Sequence, residues 1–104
     1  MGVTVSSYST DVEGGAPVAL RYVIRGRLDL PVYLAFVDER AHWLAIDGWV
    51  RATADGVELV AAGPEALVGA LEMACTLGPL DMRIDSIAAV AEMDPVGAGF
   101  HVAG

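Results

Sequence analysis

From Val18 onward the chain alternates, with Leu20, Tyr22 and Ile24 on one side and Arg21, Val23, Arg25 and Arg27 on the other. A period of two predicts a strand with one buried and one wet face. Pro31 suits the first turn of a helix. From Val32 to about Leu44, Tyr33, Phe36, Val37, Ala41 and Leu44 fall on one stripe at helical spacing, with Asp38, Glu39 and Arg40 between them. Ile46 to Thr53 and Val57 to Ala62 read as two strands joined at Asp55-Gly56, a hairpin signal because both turn residues tolerate positive φ. Gly63-Pro64-Glu65 opens a second helix with a permissive cap, a pre-set φ and a carboxylate near the positive end of the dipole. Leu67, Ala70, Leu71, Ala74 and Leu77 form its predicted buried stripe, and Gly78-Pro79 ends it. Met82, Ile84 and Ile87 to Ala91 predict a fourth strand, and Gly99 to Val102 a short last one. The order β-α-β-β-α-β predicts an α+β ferredoxin-like sandwich: an antiparallel sheet with two helices on one face. Residues 1–16, rich in Ser, Thr and Gly, read as a flexible tail, and 17–104 as the domain.

Composition narrows the function classes. A chain of 104 residues with 55% hydrophobic side chains fills one core without a disulfide or metal. Cys75 is the only cysteine, which excludes an intramolecular disulfide and a cysteine-cluster zinc site, and fits a reducing compartment. The formal net charge of -8 repels nucleic acid and acidic membranes. No apolar run approaches the roughly 20 residues of a membrane span, and no arginine precedes Arg21 to mark a secretory leader. An arginine-only, alanine-rich chain of this kind is expected in a bacterial cytoplasm. No histidine or acidic cluster has metal-ligand spacing, and no cofactor motif is present. His42 near a helix end complements a dipole. Cys75 has no basic neighbour in sequence to make it a nucleophile. His101 lacks an adjacent carboxylate, and the pairs Asp38/Glu39 and Glu92/Asp94 read as solvated charges.

Four motifs follow one another in order: Gly26-Arg27, Gly48-Trp49-Val50-Arg51, Asp55-Gly56 and Gly63-Pro64-Glu65. This set resembles the acylphosphatase family, whose pattern runs Gly-Arg-Val-Gln-Gly-Val-Gly-Phe-Arg, a helix, Gly-Trp-Val-x-Asn, Asp-Gly and Gly-Pro-Glu. The resemblance implies a phosphate-wrapping loop between the first strand and first helix, an anion-gripping arginine and a water-positioning asparagine. In this register the arginine position holds Leu34 and the asparagine position Ala52. Leu30 and Val32 stand for loop glycines, Pro31 removes an N–H donor, Asp29 adds a negative charge, and Tyr33 replaces a phenylalanine. A helix-ending glycine of the family is replaced by Ala45, which implies an altered helix exit.

Loss of a sheltered charge-assisted clamp costs several kcal/mol of transition-state binding, and each ~1.4 kcal/mol is tenfold in rate. The expectation is therefore a catalytically inactive member of the family, a binding or interaction module of unknown target. The alternative is a true hydrolase of acyl phosphates working with unrecognised groups. A small-ligand sensor that dimerises through sheet edges is a third reading. Two surfaces are candidates for binding. Leu30, Pro31, Val32, Tyr33, Leu34 and Ala52 would surround the phosphate position with apolar surface for an apolar ligand or a protein partner, unless they fold inward and plug it. Trp49 with Arg21, Arg25 and Arg51 would form an interaction surface on the open sheet face, unless the arginine stems merely shield the indole while an acid such as Glu58 pairs the charge.

Overall fold

The computed structural model describes residues 15–104, so the predicted tail falls almost wholly outside the described residues. The elements are β1 (Pro17–Arg27), α1 (Leu30–Trp43), β2 (Asp47–Ala52), β3 (Val57–Pro64), α2 (Glu65–Leu77), β4 (Arg83–Ala91) and β5 (Phe100–Val102). The five strands form one sheet in the order β4-β1-β3-β2-β5. The first four pair antiparallel, but β5 lies parallel to β2, so the sheet is mixed rather than antiparallel throughout. This departure from expectation follows from the connection after β4, which carries the chain to the opposite edge of the sheet.

Alternation sorts the two faces as the sequence predicts. Tyr22 and Ile24 of β1, Val50 of β2, and Val57, Leu59 and Ala61 of β3 are buried beneath the helices. From α1 they meet Tyr33, Val37 and Ala41, as expected. From α2 they meet Val68, Leu71 and Cys75. The predicted α2 stripe is thus rotated, because Ala70 is exposed and Leu77 is 72% exposed. The reason is the helix entry: β3 runs through Gly63 and Pro64 straight into Glu65, and Pro64 caps the helix without a side-chain bond. That direct joint sets the helix phase, and Val68 rather than Leu67 points most deeply inward.

Two motif glycines are needed by the backbone itself. At the β1–β4 bulge, where Arg25 faces Ser86 and Gly26 faces Ile84, a Cβ on Gly26 would come within 2.0 Å of the Arg83 carbonyl oxygen. Gly48 adopts φ +136° and a Cβ there would meet Val60 O at 1.9 Å. The motifs that identify the fold are therefore sites of close strand approach. The β2–β3 turn closes with Thr53 N–H donating to Gly56 O at 2.8 Å, but Asp55 stays out of the positive-φ region, contrary to the two-residue turn expected.

The exit of α1 corrects another expectation. Ala45 takes the left-handed conformation anyway, at φ 54°. Ala45 N–H donates to His42 O at 3.1 Å and Ile46 N–H to Ala41 O at 2.9 Å, the paired bonds of a Schellman ending. Burial of Ala41 and Ile46 on either side holds the turn in place despite the missing glycine.

Candidate active site

The loop after β1 and the end of β2 lie at the same end of the sheet, since Ala52 faces Val57 and Val57 faces Ile24 across three neighbouring strands. The sequence reading thus brings Leu30–Leu34 and Ala52 to one end of the molecule. Leu28, Leu30 and Leu34 turn partly inward and pack against the core, while Val32 and Ala52 are exposed. Three hollows on the surface of the described residues lie elsewhere, and none of the three is lined by these residues.

Asp29 has a role that the sequence reading missed. It is the N-cap of α1: its carboxylate accepts from Val32 N–H at 3.4 Å, and its carbonyl accepts from Tyr33 N–H at 2.8 Å. Pro31 brings no donor, so Leu30 N–H is the first-turn donor without a partner in the described contacts. No residue from 28 to 34 has positive φ, so the loop does not form the alternating-hand nest that concentrates N–H groups on an anion. The cation nearest along the chain is Arg27, exposed at the end of β1 and outside the ion pairs among the described residues. Arg83 lies directly opposite it on β4 and is held by Asp85 at 2.9 Å.

Tyr33 sits fully buried and donates its hydroxyl to the carbonyl of Cys75 at 2.8 Å, tying the start of α1 to the end of α2. Burial raises its pKa far above the ordinary tyrosine range. The Cys75 thiol is likewise pushed up to about 12, chiefly by burial, which makes it an inert core group. The Tyr22 hydroxyl donates to Glu72 at 2.9 Å, and burial raises its pKa as well. His42 Nε2 lies 3.3 Å from Asp38 Oδ1, and His101 is exposed on the edge strand. Among the described residues there is no cluster of three metal-ligating side chains.

On the open face Arg21, Trp49 and Arg51 come together, and Arg25 joins none of their contacts. The Arg21 and Arg51 guanidinium carbons lie 5.6 and 5.3 Å from the Trp49 ring centroid. Both arginines bind Glu58, Arg51 through Nη2 at 2.6 Å, and Arg21 also donates to Glu92 at 2.8 Å. Glu92 is thus not the solvated charge that its neighbourhood in sequence suggested. Burial acts to raise the Glu58 pKa, but the hydrogen bonds from Arg51 and Arg21 prevail and lower it. The hydrogen bond from Arg21 lowers that of Glu92. Val60 lies between Arg21 and Trp49 in the strand register and is only 1% exposed, covered by the side chains on either side.

The βαββαβ layout, the two helices docked on one sheet face and the loop at the end of β1 define the acylphosphatase-like class of α+β sandwiches. The acylphosphatase family model matches residues 20–102. The chain belongs to the acylphosphatase family. It is 38% identical over 86 residues to a protein of Azorhizobium caulinodans named acylphosphatase, covering 81% of this chain and 92% of that one. A Rhizorhabdus wittichii protein of the same name is 38% identical over 84 residues, covering 80% and 85%. The crystal structure of acylphosphatase from Bacillus subtilis superposes with a TM-score of 0.76 at 25% identity, covering 84% of this chain and 99% of that one.

These relatives overturn the expectation of a catalytically inactive module. Near-full-length similarity at this identity, to proteins named acylphosphatase, outweighs an argument built on a motif register that assigns two positions to Leu34 and Ala52. In general, losing one clamp removes part of a site's transition-state stabilisation and does not by itself abolish the rest. The assignment of Leu34 and Ala52 to those positions was too weak a basis for excluding activity.

Proposed function

We propose that this chain hydrolyses acyl phosphates at the N-terminal end of α1. Water attacks phosphorus, the bond from phosphorus to the acyl oxygen breaks, and a carboxylate and inorganic phosphate leave. A carboxylate departs readily without a proton donor, so the reaction needs no paired acid and base, in keeping with a site that has none. What it requires is a held phosphate and an oriented water. The positive end of α1, the Leu30 N–H and the nearby Arg27 guanidinium are the groups this chain offers for the phosphate. Apolar Leu34 limits water around it, which strengthens each remaining electrostatic contact.

The observation that carries this reading is the near-full-length similarity to proteins named acylphosphatase. Benzoyl phosphate hydrolysis tests it, with wild type beside Arg27→Gln and the double variant Leu34→Arg/Ala52→Asn. Wild type is expected to turn over above the buffer rate, and Arg27→Gln to lower kcat/KM by about tenfold or more. The double variant is expected to raise turnover. A wild-type rate equal to buffer would remove the proposal.

A further inference from the structure

The antiparallel helix layer has a groove of about 290 Å³ between α1 and α2, with Phe36 and Arg40 on one wall and Met73, Ala74 and Leu77 on the other. Such a volume is at the small end of those that hold ligands. Its far wall is unusual for a helix surface, because Met73 and Leu77 are large apolar side chains 63% and 72% exposed. A second hollow of about 160 Å³ adjoins it, and Arg40 lines both. Trp43 and Glu39 complete that second hollow.

Arg40 is the charged residue of the larger groove. Its guanidinium carbon sits 5.2 Å from the Phe36 ring centroid and 5.6 Å from that of Trp43. Two aromatic rings thus fix the cation in position. No carboxylate forms an ion pair with it among the described residues, although Glu39 is its neighbour in sequence and in the smaller hollow. Asp38 is turned to His42 instead. An arginine stacked on aromatic faces retains planar donors suited to the two oxygens of a carboxylate. The apolar wall beside it suits a hydrocarbon body. Charge and apolarity therefore stand side by side in a recess of small-molecule size.

We propose that this inter-helix groove binds amphipathic carboxylates, with Arg40 gripping the carboxylate and Phe36, Met73 and Leu77 covering the hydrocarbon chain. The groove shares no lining residue with Arg27 or Leu28–Leu34, although its Gly78 end lies near Tyr33, and its occupancy is measured without reference to hydrolysis. The test titrates the full chain with decanoate, decanol and decyltrimethylammonium below their micelle concentrations, by calorimetry and by tryptophan fluorescence. Wild type is expected to bind decanoate about tenfold more tightly than decanol, and the cation least. Arg40→Gln should abolish the preference for decanoate over decanol, and Met73→Glu should weaken all three. Arg27→Gln should change none. Equal binding of decanoate and decanol by wild type would overturn the proposal. So would unchanged decanoate binding in Arg40→Gln, or loss of it in Arg27→Gln, which would move the carboxylate to the start of α1.

Discussion

One tryptophan in this molecule sits between two arginines and the other beside one, and the two clusters differ in charge balance. Around Trp49 on the sheet, Arg21 and Arg51 are held by Glu58, and Arg21 also by Glu92. Around Trp43 on the helix layer, Arg40 has two aromatic rings and no carboxylate partner among the described residues. Aromatic contact alone does not distinguish them. The acids do: on the sheet the cations are spent internally and close over Val60, whereas on the helices the cation remains open to an anion from outside. A tryptophan among arginines in a sequence therefore acquires meaning only once the carboxylates have been placed.

The comparison breaks first at Glu58. Glu58→Gln removes the carboxylate shared by Arg21 and Arg51, and is expected to lower unfolding free energy by about 1–2 kcal/mol after allowance for solvent screening of these part-exposed pairs. Urea denaturation measures it, and an unchanged midpoint would mean the network contributes nothing. The same acids set a pH response. Their folded pKa values lie below the ordinary glutamate value of 4.5, so the stabilisation is complete above that pH and is lost as pH falls through the depressed folded values. Thermal melts from pH 6 to 3 should show a steeper decline in wild type than in Glu58→Gln.

Ala45→Gly offers a calibration that removes no side chain of either cluster, although it lies in the turn that ends the helix carrying Arg40 and Trp43. It relieves a left-handed alanine and is expected to stabilise the fold by about 1 kcal/mol. A raised melting temperature with unchanged decanoate affinity separates overall stability from the groove. The smallest effect belongs to Arg40→Gln, expected within about 0.5 kcal/mol of wild type in urea, because no internal ion pair is lost. A larger loss would make Arg40 as structural as Arg21.

Much of the fold was legible because its signals are backbone requirements. Gly26 and Gly48 stand where strands approach too closely for a Cβ, and the alternation through Tyr22 and Ile24 assigns the buried face directly. What depended on the joining of elements was not. The α2 stripe shifted because β3 feeds the helix without a loop, and β5 became parallel because its chain crosses to the far edge. At the candidate site, the capping role of Asp29 was not legible, because its charge was read without its bond to Val32 N–H. The inactivity inferred from assigning the arginine and asparagine positions to Leu34 and Ala52 is the expectation that the relatives overturn. A list of absent side chains bounds a rate constant from above far less tightly than it bounds a mechanism.

The unequal borders of the sheet give it a direction. On the β2 side the border is closed by three residues of β5, while on the β1 side β4 runs for nine. Its Arg83 and Asp85 lie at one end, and the stretch Ile87–Ala91 carries no charge and no proline to discourage a newcomer. Any strand added from outside would find its longest run of backbone partners there, so crowding at high concentration should be answered by a charge placed at Ala89 before one placed anywhere on β5.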